Sequence, residues 1–214
     1  MSSMDDALPA FLDAAATAVR LLERPALAGH WAGASVLPEF SVAGLAGHLL
    51  RGMSTVERYL GEPEPGEAGI SAASYFDTVI RSADIGDPAN RAIRARGEEA
   101  AAGGPAVLAS EARATLQRLT SRLAGERPGR PVRVAGGLVM TLDEYLRTRV
   151  VELVVHADDL AASVGVEPVP PQPATTAVAI DVLVGVARIR HGDMAVLRAL
   201  ARRERDTVRA LRVL

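Results

Sequence analysis

The sequence predicts an all-α protein: a bundle of four long helices with a crossover connection, a minor β-hairpin, and extra helices towards the C-terminus. Three observations carry this. Apolar residues recur at three- and four-residue spacing over 4–24, 42–61, 105–124 and 142–164, which is the helical period. Each stretch is bounded by capping or breaking residues. The long connection between the second and third is more than a simple up-down-up-down bundle needs. The bundle is expected within 1–165, with 166–214 a helical extension packed on the same domain.

Over 4–24, Leu8, Phe11, Leu12, Ala15, Val19 and Leu22 form one apolar stripe, and Pro25 ends the pattern. Residues 25–40 read as a loop containing His30, Trp31 and Pro38. The second helix, 42–61, has Ser41 as N-cap and Gly61 as its stop. Around His48 on this helix lie Ser41, Gly44, Arg51, Gly52, Thr55 and Tyr59; the glycines would admit another backbone or a ligand at close range. Residues 62–70 read as loop. Residues 71–102 read as two helical pieces, about 71–83 and 88–102, divided at Gly86-Asp87-Pro88, the second on the surface.

Gly103-Gly104-Pro105 turns the chain into helix 105–124, with Val107, Leu108, Ala112, Leu116, Leu119 and Leu123 on its apolar side. PVRV and LVMT flank Ala135-Gly136-Gly137 and read as a short hairpin. The central helix follows. Thr141 and Glu144 have capping-box spacing at its start, Gly165 suits its C-terminal cap, and Pro168, Pro170, Pro171 and Pro173 forbid continuation. Two more helices, about 174–190 and 193–205, are separated at His191-Gly192, and the last residues are ambiguous between helix and strand.

About half the residues are apolar (49%), enough for a substantial core. The net charge of −2 gives no general nucleic-acid footprint. Lysine is absent and every basic residue other than histidine is arginine. Cysteine is absent too, which excludes disulfides, thiolate metal sites and a cysteine nucleophile; any thiol chemistry must use an external thiol. The first residues carry acids and no basic leader pattern, and no run reaches membrane-spanning length. These features point to a cytoplasmic enzyme or binding protein, with a homodimer through apolar helix faces as a further expectation.

The chemistry is expected on the central helix. At roughly 100° per residue, Tyr145, Thr148, Arg149, His156, Asp159 and Ser163 fall within roughly 60° of Glu152. Valine, leucine and alanine cover most of the remaining surface, so this polar line faces into a core. A carboxylate and an imidazole one turn apart can grip one ion. His48 supplies a third candidate ligand from a facing helix, making His48, Glu152 and His156 the candidate set. Two histidines and a carboxylate leave coordination positions open and suit zinc, iron(II) or nickel. Asp159, one turn from His156, is placed to orient its imidazole, and Arg149 flanks the pair. The residues alone leave a second reading open: a buried Arg149–Glu152 ion pair with a satisfied histidine and no metal. His30, His191, Asp158 and the run Arg202, Arg203, Arg205 read as ordinary surface.

FSVAGLAGHLLRG and YLRTRVVELVVHADDLAASVG, with R-x-x-E-x-x-x-H-x-x-D at Arg149, Glu152, His156 and Asp159 and the upstream His48-Leu49, resemble two signature stretches of a known family. This is the mycothiol-dependent maleylpyruvate isomerase N-terminal domain family, within the DinB/YfiT-like superfamily of metal-binding four-helix bundles. The resemblance covers most of 4–165. It implies that His48, Glu152 and His156 ligate a divalent metal, typically zinc, with water in the remaining position. It also implies a low-molecular-weight thiol, mycothiol, as cofactor or co-substrate. The expected activity is a metal-dependent thiol transferase or isomerase acting on an electrophilic small molecule. The isomerase carries a further α/β domain after its bundle, whereas here the proline loop leads into helices, which argues against maleylpyruvate isomerisation itself. The non-enzymatic alternative is a dimeric DinB-like bundle with a structural or vestigial metal site, serving stress or regulation.

Overall fold

A computed structural model describes residues 4–79, 86–206 and 208–213. The elements in order are α1 (Met4–Leu22), α2 (Pro25–His30), α3 (Val42–Leu60), α4 (Ala72–Val79), α5 (Pro88–Ala101), α6 (Pro105–Leu123), β1 (Pro131–Arg133), β2 (Val139–Thr141), α7 (Leu142–Ser163), α8 (Pro173–His191) and α9 (Asp193–Ala201). The fold is mostly helical, with one antiparallel hairpin that pairs Val132 with Met140.

Four helices close a ring: α1 packs on α6 and α7, and α3 packs on the same two. Apolar side chains from all four fill its interior, among them Phe11, Leu45, Met53, Leu119 and Leu153. The connection from α3 to α6 runs through α4 and α5, so the bundle has the expected crossover. The expected extension, α8, lies against α1, α4 and α7. Among the described residues, no helix is long and apolar enough to cross a membrane.

Local sequence explains the boundaries. The Ser41 hydroxyl accepts from the Gly44 N–H at 2.8 Å and starts α3. Thr141 accepts from the Glu144 N–H at 3.4 Å and starts α7. Gly165, with φ +66°, ends α7 in a Schellman arrangement, where Val166 N–H donates to the Ala161 carbonyl at 3.1 Å. The structure also modifies the expected reading in four places. Pro25 does not open a loop; it occupies the first turn of α2, where its missing N–H costs nothing. The Glu144 carboxylate accepts from the Ala72 N–H at 2.6 Å and so caps α4, a different helix from its own. The 193–205 helix breaks after Ala201, and a single 3-10 turn covers Arg203–Arg205. Among the described tail residues only turns follow. Residues 80–83 of the expected 71–83 helix lie outside the described residues.

Helices α3 and α5 meet backbone to backbone. A Cβ on Gly47 would overlap the Gly97 carbonyl, and one on Gly97 would overlap the Gly44 carbonyl. The two backbones therefore touch, which only hydrogen in place of a side chain allows. The helix expected on the surface keeps its charged side in solvent, but its Gly97 and Ala101 are buried against α3.

Candidate metal centre

His48 on α3 and the pair Glu152 and His156 on α7 meet at the α3–α7 seam. The α7 pair is one turn apart, so both side chains leave the same face. His48 reaches this face because α3 and α7 are neighbours in the ring and Gly52 lets Leu153 pack closely against α3. His48 Nε2 lies 2.9 Å from Glu152 Oε2, and His156 Nε2 lies 3.5 Å from the same oxygen. The two imidazoles stand edge to face, with ring centres 4.8 Å apart. One donor atom from each of the three residues falls within 4.8 Å of the others.

The two separations to Glu152 are close to those around a single ion. Bonds of about 2.0–2.1 Å in a tetrahedral site separate neighbouring donors by roughly 3.3 Å, and 2.9 and 3.5 Å bracket that value. The three donor atoms lie within 4.8 Å of one another, so the two imidazoles would have to draw together to share one ion. Three protein donors of mixed nitrogen and oxygen type also match an open site better than a closed structural one. The side chains of His48, Glu152 and His156 remain 18%, 14% and 22% exposed, so the cluster is reached from one side.

Asp159 Oδ2 lies 3.0 Å from His156 Nδ1, which leaves Nε2 for the cluster. Arg149 is buried. Its guanidinium lies over the Tyr145 ring at 5.0 Å, and its Nε donates to Thr148 Oγ1 at 3.1 Å. Tyr145 in turn donates to Thr55 at 2.8 Å.

The charges follow from this packing. Burial opposes ionisation of His156 most strongly, yet hydrogen bonds to Asp159 and Glu152 outweigh it and raise its pKa to about 9. Burial also opposes the Glu152 carboxylate. Hydrogen bonds from His156 and His48, with Arg149 nearby, hold it well below the usual carboxylate range. Burial dominates at His48 and lowers its pKa despite the Glu152 hydrogen bond. Burial pushes Tyr145 up to about 12, so its hydroxyl stays neutral.

A cavity of about 350 Å³ opens beside His48 and Glu152. Its walls carry Arg51, Arg58, Arg96 and Arg149 together with Tyr59, Tyr75 and Tyr145. The sequence had placed Arg51, Thr55 and Tyr59 on the His48 face, and Tyr145 on the Glu152 face. It gave no sign of Arg58 on α3, nor of Tyr75 and Arg96, which reach the cavity through the packing of α4 and α5. A second, mainly apolar cavity of about 380 Å³ lies between α1, α7 and the proline loop; it touches Asp159 but none of the three donors. His30 and His191 are exposed and belong to neither cavity.

The family model described as the mycothiol maleylpyruvate isomerase N-terminal domain matches residues 11–161, which span His48, Glu152, His156 and Asp159. No curated protein and no solved structure matches the chain.

Proposed function

Because the chain belongs to the mycothiol maleylpyruvate isomerase N-terminal domain family, we propose that it is a metal-dependent thiol transferase or isomerase using a low-molecular-weight thiol such as mycothiol. The observation that carries this reading is the approach of His48, Glu152 and His156 from two helices, with donor atoms within 4.8 Å of one another, where His48 and Glu152 line a cavity. These three residues would hold a divalent ion, zinc in the first instance. When bound, such an ion favours the thiolate form of a coordinated thiol, whose free pKa of about 8.5 leaves it mostly protonated at neutral pH. The protein's own part is orientation and charge. Asp159 holds Nδ1 of His156, and the bundle keeps the three donor side chains mostly out of solvent. Tyr75 and Arg149 present a hydroxyl and a cation on the side where an electrophile would lie. Without cysteine in the chain, the nucleophile comes from the thiol co-substrate.

Elemental analysis of protein purified without chelators or a metal-affinity tag tests this reading. About one zinc per chain is expected, lost in His48→Ala and in His156→Ala, together with zinc-dependent consumption of mycothiol in the presence of a reactive electrophile. A full metal equivalent in both variants, or none in the wild type after reconstitution, would overturn it.

A further inference from the structure

The cavity beside the candidate metal centre has three guanidinium groups at its walls from two helices, Arg51 and Arg58 of α3 and Arg96 of α5, and a fourth, Arg149, buried against its floor. Among the described residues no carboxylate forms an ion pair with Arg51, Arg58 or Arg96. Arg58 donates to the Tyr59 hydroxyl and lies over that ring at 4.6 Å. Arg51 loses affinity for its proton first through burial and then through the charges of Arg96 and Arg58; Glu99 offsets this only weakly. The glycine crossing of α3 and α5 enforces the crowding. It brings the two backbones into contact at Gly47 and Gly97, one turn before Arg51 and next to Arg96.

Like charges gathered without an ion-paired carboxylate raise the energy of the empty cavity, and an anionic occupant relieves that repulsion. Guanidinium forks also suit the planar or tetrahedral oxygens of carboxylate and phosphate. Mycothiol is an uncharged glycoside apart from its thiol, so the cations serve the other reactant. We propose that Arg51, Arg58 and Arg96 form an anion subsite, and that the electrophile taken by this site carries a carboxylate or phosphate group. This rests on the thiol-transfer reading for the word electrophile, but the anion subsite itself does not depend on metal.

Calorimetric titration with succinate and with inorganic phosphate tests it, on wild type and on Arg51→Gln/Arg96→Gln, each with and without zinc. The expected result is binding of at least one probe to wild type, weakened by added salt and at least tenfold weaker in the double variant, with zinc content unchanged. The tighter probe identifies the chemical group. If the double variant does not fold, the single variants and the salt series on wild type carry the same comparison. No binding of either probe, equal binding by variant and wild type, or binding that vanishes with zinc alone would overturn the subsite. Arginine-dependent binding in a protein that never takes up zinc would uphold the subsite while removing the metal-dependent reading.

Discussion

His48 and Glu152 are 104 positions apart in the chain, yet their side chains meet at 2.9 Å across the α3–α7 seam. Neither residue alone distinguishes a ligand from a polar residue in a helix. Their meeting, with His156 one turn further along α7, turns two helical patterns into one candidate centre.

Asp159→Ala is expected to weaken zinc binding by about 10- to 100-fold while leaving the helix intact, because the carboxylate at 3.0 Å fixes which imidazole nitrogen of His156 is free. Competition with a chelating dye of known affinity reads this directly. Unchanged affinity would mean that Asp159 contributes only a surface contact.

Zinc uptake should release protons. With the metal absent, His156 keeps its proton up to about pH 9, and a ligand nitrogen must be free of it. Zinc affinity should therefore rise by about tenfold per pH unit between pH 7 and 9 and level off above, as one proton is displaced. The metal-free protein should show the opposite trend in stability. The folded pKa is raised above the ordinary 6.5, so the contribution of His156 is complete below about 6.5 and is lost as pH rises through about 9. Denaturant titrations of the chelated protein at pH 6, 7.5 and 9 measure it.

Gly97→Ala should destabilise the fold by about 3 kcal/mol, since its new methyl group meets the Gly44 carbonyl and neither helix can yield by a rotamer change. Gly66→Ala, in a loop with open space around the position, is the control and should stay within about 0.5 kcal/mol of wild type. Urea unfolding followed by circular dichroism compares the two.

Glu144→Ala should cost about 1 kcal/mol by removing the acceptor for Ala72 N–H at the head of α4. Because α4 carries Tyr75 into the cavity wall, the same change should lower affinity for a cavity ligand without changing zinc content. A variant with wild-type stability would show that water replaces the cap at no cost.

Much of this was legible before folding. Ser41, Thr141 and Gly165 announce helix ends through local chemistry, and the four long helices follow from periodicity alone. The polar line of α7 was readable for the same reason: an arginine, a glutamate, a histidine and an aspartate on one face of an apolar helix stand out. What stayed hidden depends on contacts between distant segments. Glu144 has capping-box spacing with Thr141, and nothing local reveals that its carboxylate serves Ala72. Pro25 can end one helix or begin another, and the six-residue α2 has no side-chain cap to decide it. Arg96 sits in a charged, alanine-rich stretch that reads as plain surface; only the backbone contact at Gly97 brings it to Arg51.

That same contact has a bearing on redesign. Main chain rests on main chain at Gly47 and Gly97, so the spacing between α3 and α5 is set by atoms that no wall substitution alters. Changing Arg51, Arg58 or Arg96 would repaint the chamber without moving its walls. Ligand preference could thus be exchanged by altering charge and shape at three positions, while the scaffold that holds the candidate metal centre keeps its dimensions.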